Sequence, residues 1–137
     1  MLLTEITGHN SRKKLCESVV QWFDSKYLND YTIDLTIHHR GLKREGVFGW
    51  CTPETDDIDP REFLVEIHNR LDVDSYVKIL LHELWHVYQH VRGDLVDYPE
   101  KRCWKGIDHT DTNYEDQPWE KEAVKIEDEL YERYLDS

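Results

Sequence analysis

The sequence predicts an α+β domain: a small antiparallel or mixed sheet of three strands, packed against helices at both ends of the chain. Three observations predict it. Segments at 31–38, 47–52 and 62–69 are short and rich in β-branched and aromatic residues, with apolar side chains at alternate positions. Segments at about 11–28, 72–91 and 117–135 repeat their apolar residues at helical spacing. The order is helix, three strands, helix, loop, helix, and sequential short strands favour a sheet with helices on one side. The 137 residues make one domain spanning 1–137.

In the first helix, Leu15, Val19, Trp22, Phe23 and Tyr27 recur on one side, and Asn10 or Ser11 is placed to cap its start. Tyr31–His38 alternates Tyr, Ile, Leu and Ile with polar partners, as a half-buried strand does. Gly41–Gly46 is a turn, Val47–Thr52 a short strand and Pro53–Pro60 an acidic loop. The strand Glu62–Asn69 puts Phe63, Val65 and Ile67 on one face. Asp72 or Asp74 caps the second helix, which runs to about Val91, and Gly93 follows where a left-handed residue is expected. Residues 94–116 are polar and read as a long loop, and such loops are usually functional or disordered. Pro118 suits the first turn of the last helix.

Composition narrows the partners. The net charge is −12, and residues 94–137 alone carry −8. An acidic chain repels phosphate backbones, so nucleic acid is not expected as a direct partner. No run approaches the ~18 apolar residues of a membrane span. Met1–Ile6 lacks the basic start and apolar stretch of a signal peptide. Cys16, Cys51 and Cys103 are odd in number and far apart, which points to reduced thiols in a cytoplasmic setting.

The chemistry is concentrated in His82-Glu83-Leu84-Trp85-His86. On a helix, residues i and i+4 lie one turn apart on one face, so two imidazoles there can grip one metal ion. Glu83 sits about 100° around the helix from His82. From there its carboxylate can reach a metal-bound water without filling a ligand position. With eight histidines and fourteen glutamates in the chain, chance alone yields such a spacing about once in twenty sequences. The context is favourable: Val77, Leu80, Leu81, Leu84 and Trp85 would bury this helix, and buried histidines need partners.

A third ligand must come from downstream. The last helix places Trp119, Ala123, Ile126, Leu130 and Tyr134 on its apolar face, and Glu120 lies closest to the centre of that face. Glu120 is therefore favoured. Glu122 qualifies if the helix is rolled, Glu127 lies one heptad on, and His109 is a rival from the loop. Tyr114 and His109 are candidates to stabilise a developing oxyanion, with Tyr114 preferred. His90 continues the i+4 row from His86 toward the edge of the site.

The motif His82-Glu83-Leu84-Trp85-His86, preceded by the strand Phe63–Asn69, resembles the core of the minimal zincins, the SprT-like proteins and small gluzincins. The piece Pro118-Trp119-Glu120-Lys121-Glu122-Ala123 resembles the glutamate helix of small phage and bacterial metallopeptidases, with Glu120 and Ala123 at the matching spacing. The resemblance covers about 45–125. It implies a minimal zincin-like fold, bound Zn2+ and hydrolysis of peptide bonds in a protein or peptide substrate, with Glu83 as general base. It also implies that an extended substrate adds to the strand Phe63–Asn69. Gluzincins often carry Asp or Asn four residues after the ligand Glu, to orient a metal-bound His. Here that position is Val124, so the orienting groups must come from elsewhere. SprT-like proteins usually take a third His and often carry basic DNA-binding regions, which this acidic chain lacks. The alternative reading is a zincin-fold protein that binds metal or a partner without turnover; the intact Glu83 favours the enzyme.

Overall fold

The structure, a computed structural model, describes residues 1–137 and has the α+β architecture. Its main sheet is mixed. The strands β1 (Leu2–Gly8), β2 (Ile33–Arg40), β3 (Gly49–Pro53) and β4 (Glu62–His68) lie in the order β1-β2-β4-β3. β1 pairs parallel with β2, β2 parallel with β4, and β3 antiparallel with β4. The helix α1 (Lys13–Phe23) makes the crossover between β1 and β2 that parallel pairing requires.

The strand β1 is an addition to the three expected. Leu2, Thr4 and Ile6 alternate as a strand should, and Leu2 and Ile6 pack against the core. The pattern is weak because β1 is an edge strand with its other face in solvent.

α1 begins at Lys13, and no side chain caps it. Arg12 occupies the cap position at φ 44°, so neither Asn10 nor Ser11 acts as expected. Arg12 instead reaches across to the carbonyl of Leu71, at 2.8 Å. The helix continues as one wider π-helical turn over Asp24–Leu28.

The helix α2 (Val73–Val91) is the central element. Asp72 caps it by accepting from the Ser75 amide at 3.3 Å, and Gly93 takes φ +86° just beyond its end. The sheet covers one side of α2, and α1 and the last helix cover others. Ile33, Leu35 and Ile37 of β2 and Phe63, Val65 and Ile67 of β4 meet Val77, Leu80, Leu81 and Leu84 in one buried cluster. Each such side chain contributes roughly 2 kcal/mol by leaving water. His39 is structural: its Nδ1 donates to the Thr7 carbonyl (3.0 Å) and its Nε2 accepts from the Tyr76 hydroxyl (2.7 Å).

Residues 94–116 are not the plain loop that polarity predicts. They form a small antiparallel meander, β5 (Leu95–Tyr98), β6 (Lys101–Trp104) and β7 (Ile107–Asp108). It buries Leu95 and Trp104 against Trp119, a second small core that too few apolar residues announce. The helix α3 (Pro118–Leu135) then starts with Pro118 in its first turn and packs on α2 through Ala123 and Leu130.

Gly8 has φ +97°, and a Cβ there would lie 2.0 Å from the His39 carbonyl oxygen. Gly106 has φ +83° with open space around it. Gly8→Ala is therefore expected to cost about 3 kcal/mol or more in urea unfolding, through strain and displacement of β1, and Gly106→Ala about 1 kcal/mol.

Candidate metal centre

His82, Glu83 and His86 are buried on the face of α2 that looks toward β3 and α3. The spacing i, i+4 stacks the two imidazoles one turn apart, with ring centroids at 4.9 Å and planes at 84°. Both rings turn Nε2 toward one carboxylate. Glu120 of α3 lies 3.2 Å from His82 Nε2 and 2.9 Å from His86 Nε2, one oxygen to each ring. One donor atom from each of the three residues falls within 4.8 Å of the others. Two neutral imidazoles and a carboxylate are the donor set of an open, three-ligand zinc site, so the residues present fit a divalent cation.

The other nitrogen of each ring is held by protein. His82 Nδ1 donates to Glu127 Oε2 at 2.8 Å, and His86 Nδ1 donates to Gln89 Oε1 at 2.7 Å. These acceptors fix the ring orientations and leave Nε2 as the coordinating atom. Gln89 is itself anchored, donating to the Trp119 carbonyl at 3.0 Å and to Glu122 at 3.2 Å. The position four after Glu120 is Val124, exposed and without such a role. The orienting carboxylate sits three residues further on.

The rival ligands have other partners. Glu122 accepts from Trp85 Nε1 (2.8 Å), Gln89 and Arg92, and so locks α3 to α2. His109 pairs with Thr112 Oγ1 at 3.1 Å and lies edge-on to Trp119. Glu127 braces His82 from Nδ1 rather than joining the Nε2 cluster. Tyr114 stands exposed at the mouth of the cleft, its hydroxyl donating to Glu120 at 3.2 Å. His90 is buried one turn beyond His86 and lines the same cleft. Gln89 was not singled out by sequence reasoning, although its place three residues after His86 puts it within reach of that ring.

The strand Phe63–Asn69 does not border the cleft as a free edge. β4 is paired on both sides, with β2 and with β3, so it has no backbone groups left for a substrate. The free edge belongs to β3, whose residues Gly49–Pro53 line the cleft opposite His82 and His86. Gly49 lies against Glu83: a Cβ there would come within 2.9 Å of the carboxylate.

Electrostatics couple the cluster. Burial raises the Glu83 carboxyl, and Glu120 and Glu127 add to this against the pull of His86 and His82. A carboxylate raised in this way is a better base near neutral pH. Burial opposes charge on His82, but the bonds to Glu120 and Glu127 and the nearby Glu83 outweigh it and lift the ring to about 10. Burial likewise opposes charge on Glu120, and the bonds from His82 and His86 hold it far below the usual carboxylate range.

No protein-family model, curated protein or solved structure matches the chain. No helix is long and apolar enough to cross a membrane.

The sign of the pH dependence follows from these directions. In the metal-free fold His82 keeps its proton up to about pH 10, against an ordinary value of 6.5. Its ion pairs contribute fully below pH 6.5, and their contribution is lost as pH rises toward 10. A divalent cation held by His82 would have to displace that proton, so its binding would strengthen over the same interval. The zinc-induced rise in Tm is therefore expected to grow from pH 6.5 toward 10 in differential scanning fluorimetry. A rise that shrank over this interval would contradict the assignment of His82 as a ligand.

Proposed function

We propose that this chain is a zinc-dependent peptidase, with His82, His86 and Glu120 as ligands and Glu83 as general base. One observation carries the reading. Two imidazoles offer Nε2 to a shared carboxylate while Glu127 and Gln89 hold each Nδ1, beside a buried glutamate with a raised pKa. Bound zinc would lower the pKa of a coordinated water toward ~7 and polarise the scissile carbonyl. Glu83 would take the water's proton and return it to the leaving amine. The Tyr114 hydroxyl, at the cleft mouth, would donate to the oxygen that gains charge.

An extended peptide would lie along the free edge of β3, in a cleft of about 700 Å³. The protein's acidity supports a protein or peptide substrate rather than nucleic acid. Three free cysteines support a reducing, cytoplasmic setting.

Metal analysis and a peptide-library digest test this reading together. Glu83→Gln is expected to keep about one equivalent of zinc and lose activity by about 10³-fold. Glu120→Ala is expected to lose zinc, whereas Glu122→Ala keeps it. Zinc bound by the wild type with no cleavage of any peptide would leave a metal-binding protein and refute the enzyme. Gly49→Ala provides a separate check on positioning. It should retain zinc but lower kcat about 10–100-fold, because the added methyl displaces the Glu83 carboxylate.

A further inference from the structure

Past the ligand cluster, the cleft continues into a recess whose polar groups take no part in activating water. Arg102 of β6 and His90 of α2 line it, with Leu95 and Trp119 as apolar walls. The Arg102 guanidinium lies 5.3 Å from the Trp119 ring centroid. Its Nε and Nη2 donate to Asp97, at 2.5 and 2.9 Å. A guanidinium has five N–H donors, so three remain beyond the Asp97 pair. His90 is 3% exposed and its Nδ1 is sealed from water, so this ring shapes the wall rather than meeting a ligand.

Apolar walls with hydrogen-bonding groups among them select a side chain of matching form: an alkyl stem with a polar tip. A bare alkyl group would leave the donors unpaired, and a lysine would face the guanidinium. Asp97 already balances the charge of Arg102, so the tip need not be ionised. Its essential feature is a carbonyl oxygen.

We propose that this recess is a specificity pocket for a substrate side chain ending in a carboxamide or carboxylate, glutamine or glutamate, selected by Arg102. The proposal rests on the peptidase reading and deepens it. Arg102 stands outside the ligand set, so its replacement leaves zinc in place.

Amino-acid hydroxamates test the pocket without requiring turnover, since they grip zinc while the side chain explores the recess. With the zinc-loaded protein, glutamine and glutamate hydroxamates are expected to bind at least about 10-fold tighter than those of leucine and lysine. Arg102→Met should erase that difference, raising leucine-hydroxamate affinity as glutamine affinity falls, with zinc content unchanged. Arg102→Lys, which keeps the charge but loses the planar fork, should give an intermediate ranking and serves if the first variant unfolds. Asp97→Asn should shift the preference from glutamine toward glutamate by uncovering the guanidinium charge. Peptides differing only in this side chain should give the same order in kcat/KM. Equal affinity for all four hydroxamates, or an order unchanged in the Arg102 variants, overturns the pocket and leaves the peptidase standing. The expected ranking without any peptide cleavage overturns the peptidase and keeps the pocket. Failure to load zinc overturns both.

Discussion

A neutral imidazole carries one N–H, and in this protein Glu127 and Gln89 decide which nitrogen of His82 and His86 carries it. With Nδ1 committed to an acceptor, Nε2 is the atom that faces Glu120 and the one free to exchange its proton for a metal. The two acceptors come from different elements. Glu127 is on α3, while Gln89 is on α2 but is anchored to the Trp119 carbonyl and to Glu122 of α3. The docking of α3 on α2 therefore fixes Glu120 and both orienting contacts at once. Ala123 and Leu130 provide the apolar part of that docking, and Glu122, held by Trp85 and Arg92, provides the polar part.

This arrangement gives meaning to the acidity of the last third of the chain. Glu120, Glu122 and Glu127 are partly buried on the inner side of α3, while Asp128, Glu129 and Glu132 are exposed. The outer acids form an ordinary solvated face. The inner ones gather negative charge around two imidazoles in a region of reduced solvation, where an unbalanced carboxylate is costly. Without metal, a proton on His82 supplies the balance, which is why that ring is lifted to about 10. A divalent cation would supply it more completely. Glu83, raised by burial, shares this field but stays outside the Nε2 cluster.

The main sheet sets the other wall. Because β4 sits between β2 and β3, the strand that borders the cleft is the short β3, and Gly49 lets it approach Glu83 closely. The meander β5–β7 closes the far end and brings Arg102 beside Trp119. Substrate selection in the proposed peptidase thus draws on segments that carry little apolar signal of their own.

The sequence by itself determined the three helices, the strands β2 and β4, a cap at Asp72 or Asp74, and the pairing of His82 with His86. Each depends on interactions within a few residues, or on a periodicity that burial imposes directly. The choice of Glu120 was also legible, because its position on the helix wheel follows from the apolar residues around it. Other features were decided only by the tertiary structure. β1 and the meander are held by pairing partners distant in the chain, so their own composition hardly marks them. Which strand is left with a free edge depends on strand order, which alternation does not encode. The roles of Glu127, Gln89 and Glu122 were separated by the roll of α3 against α2, a matter of packing across a helix interface that no local spacing contains.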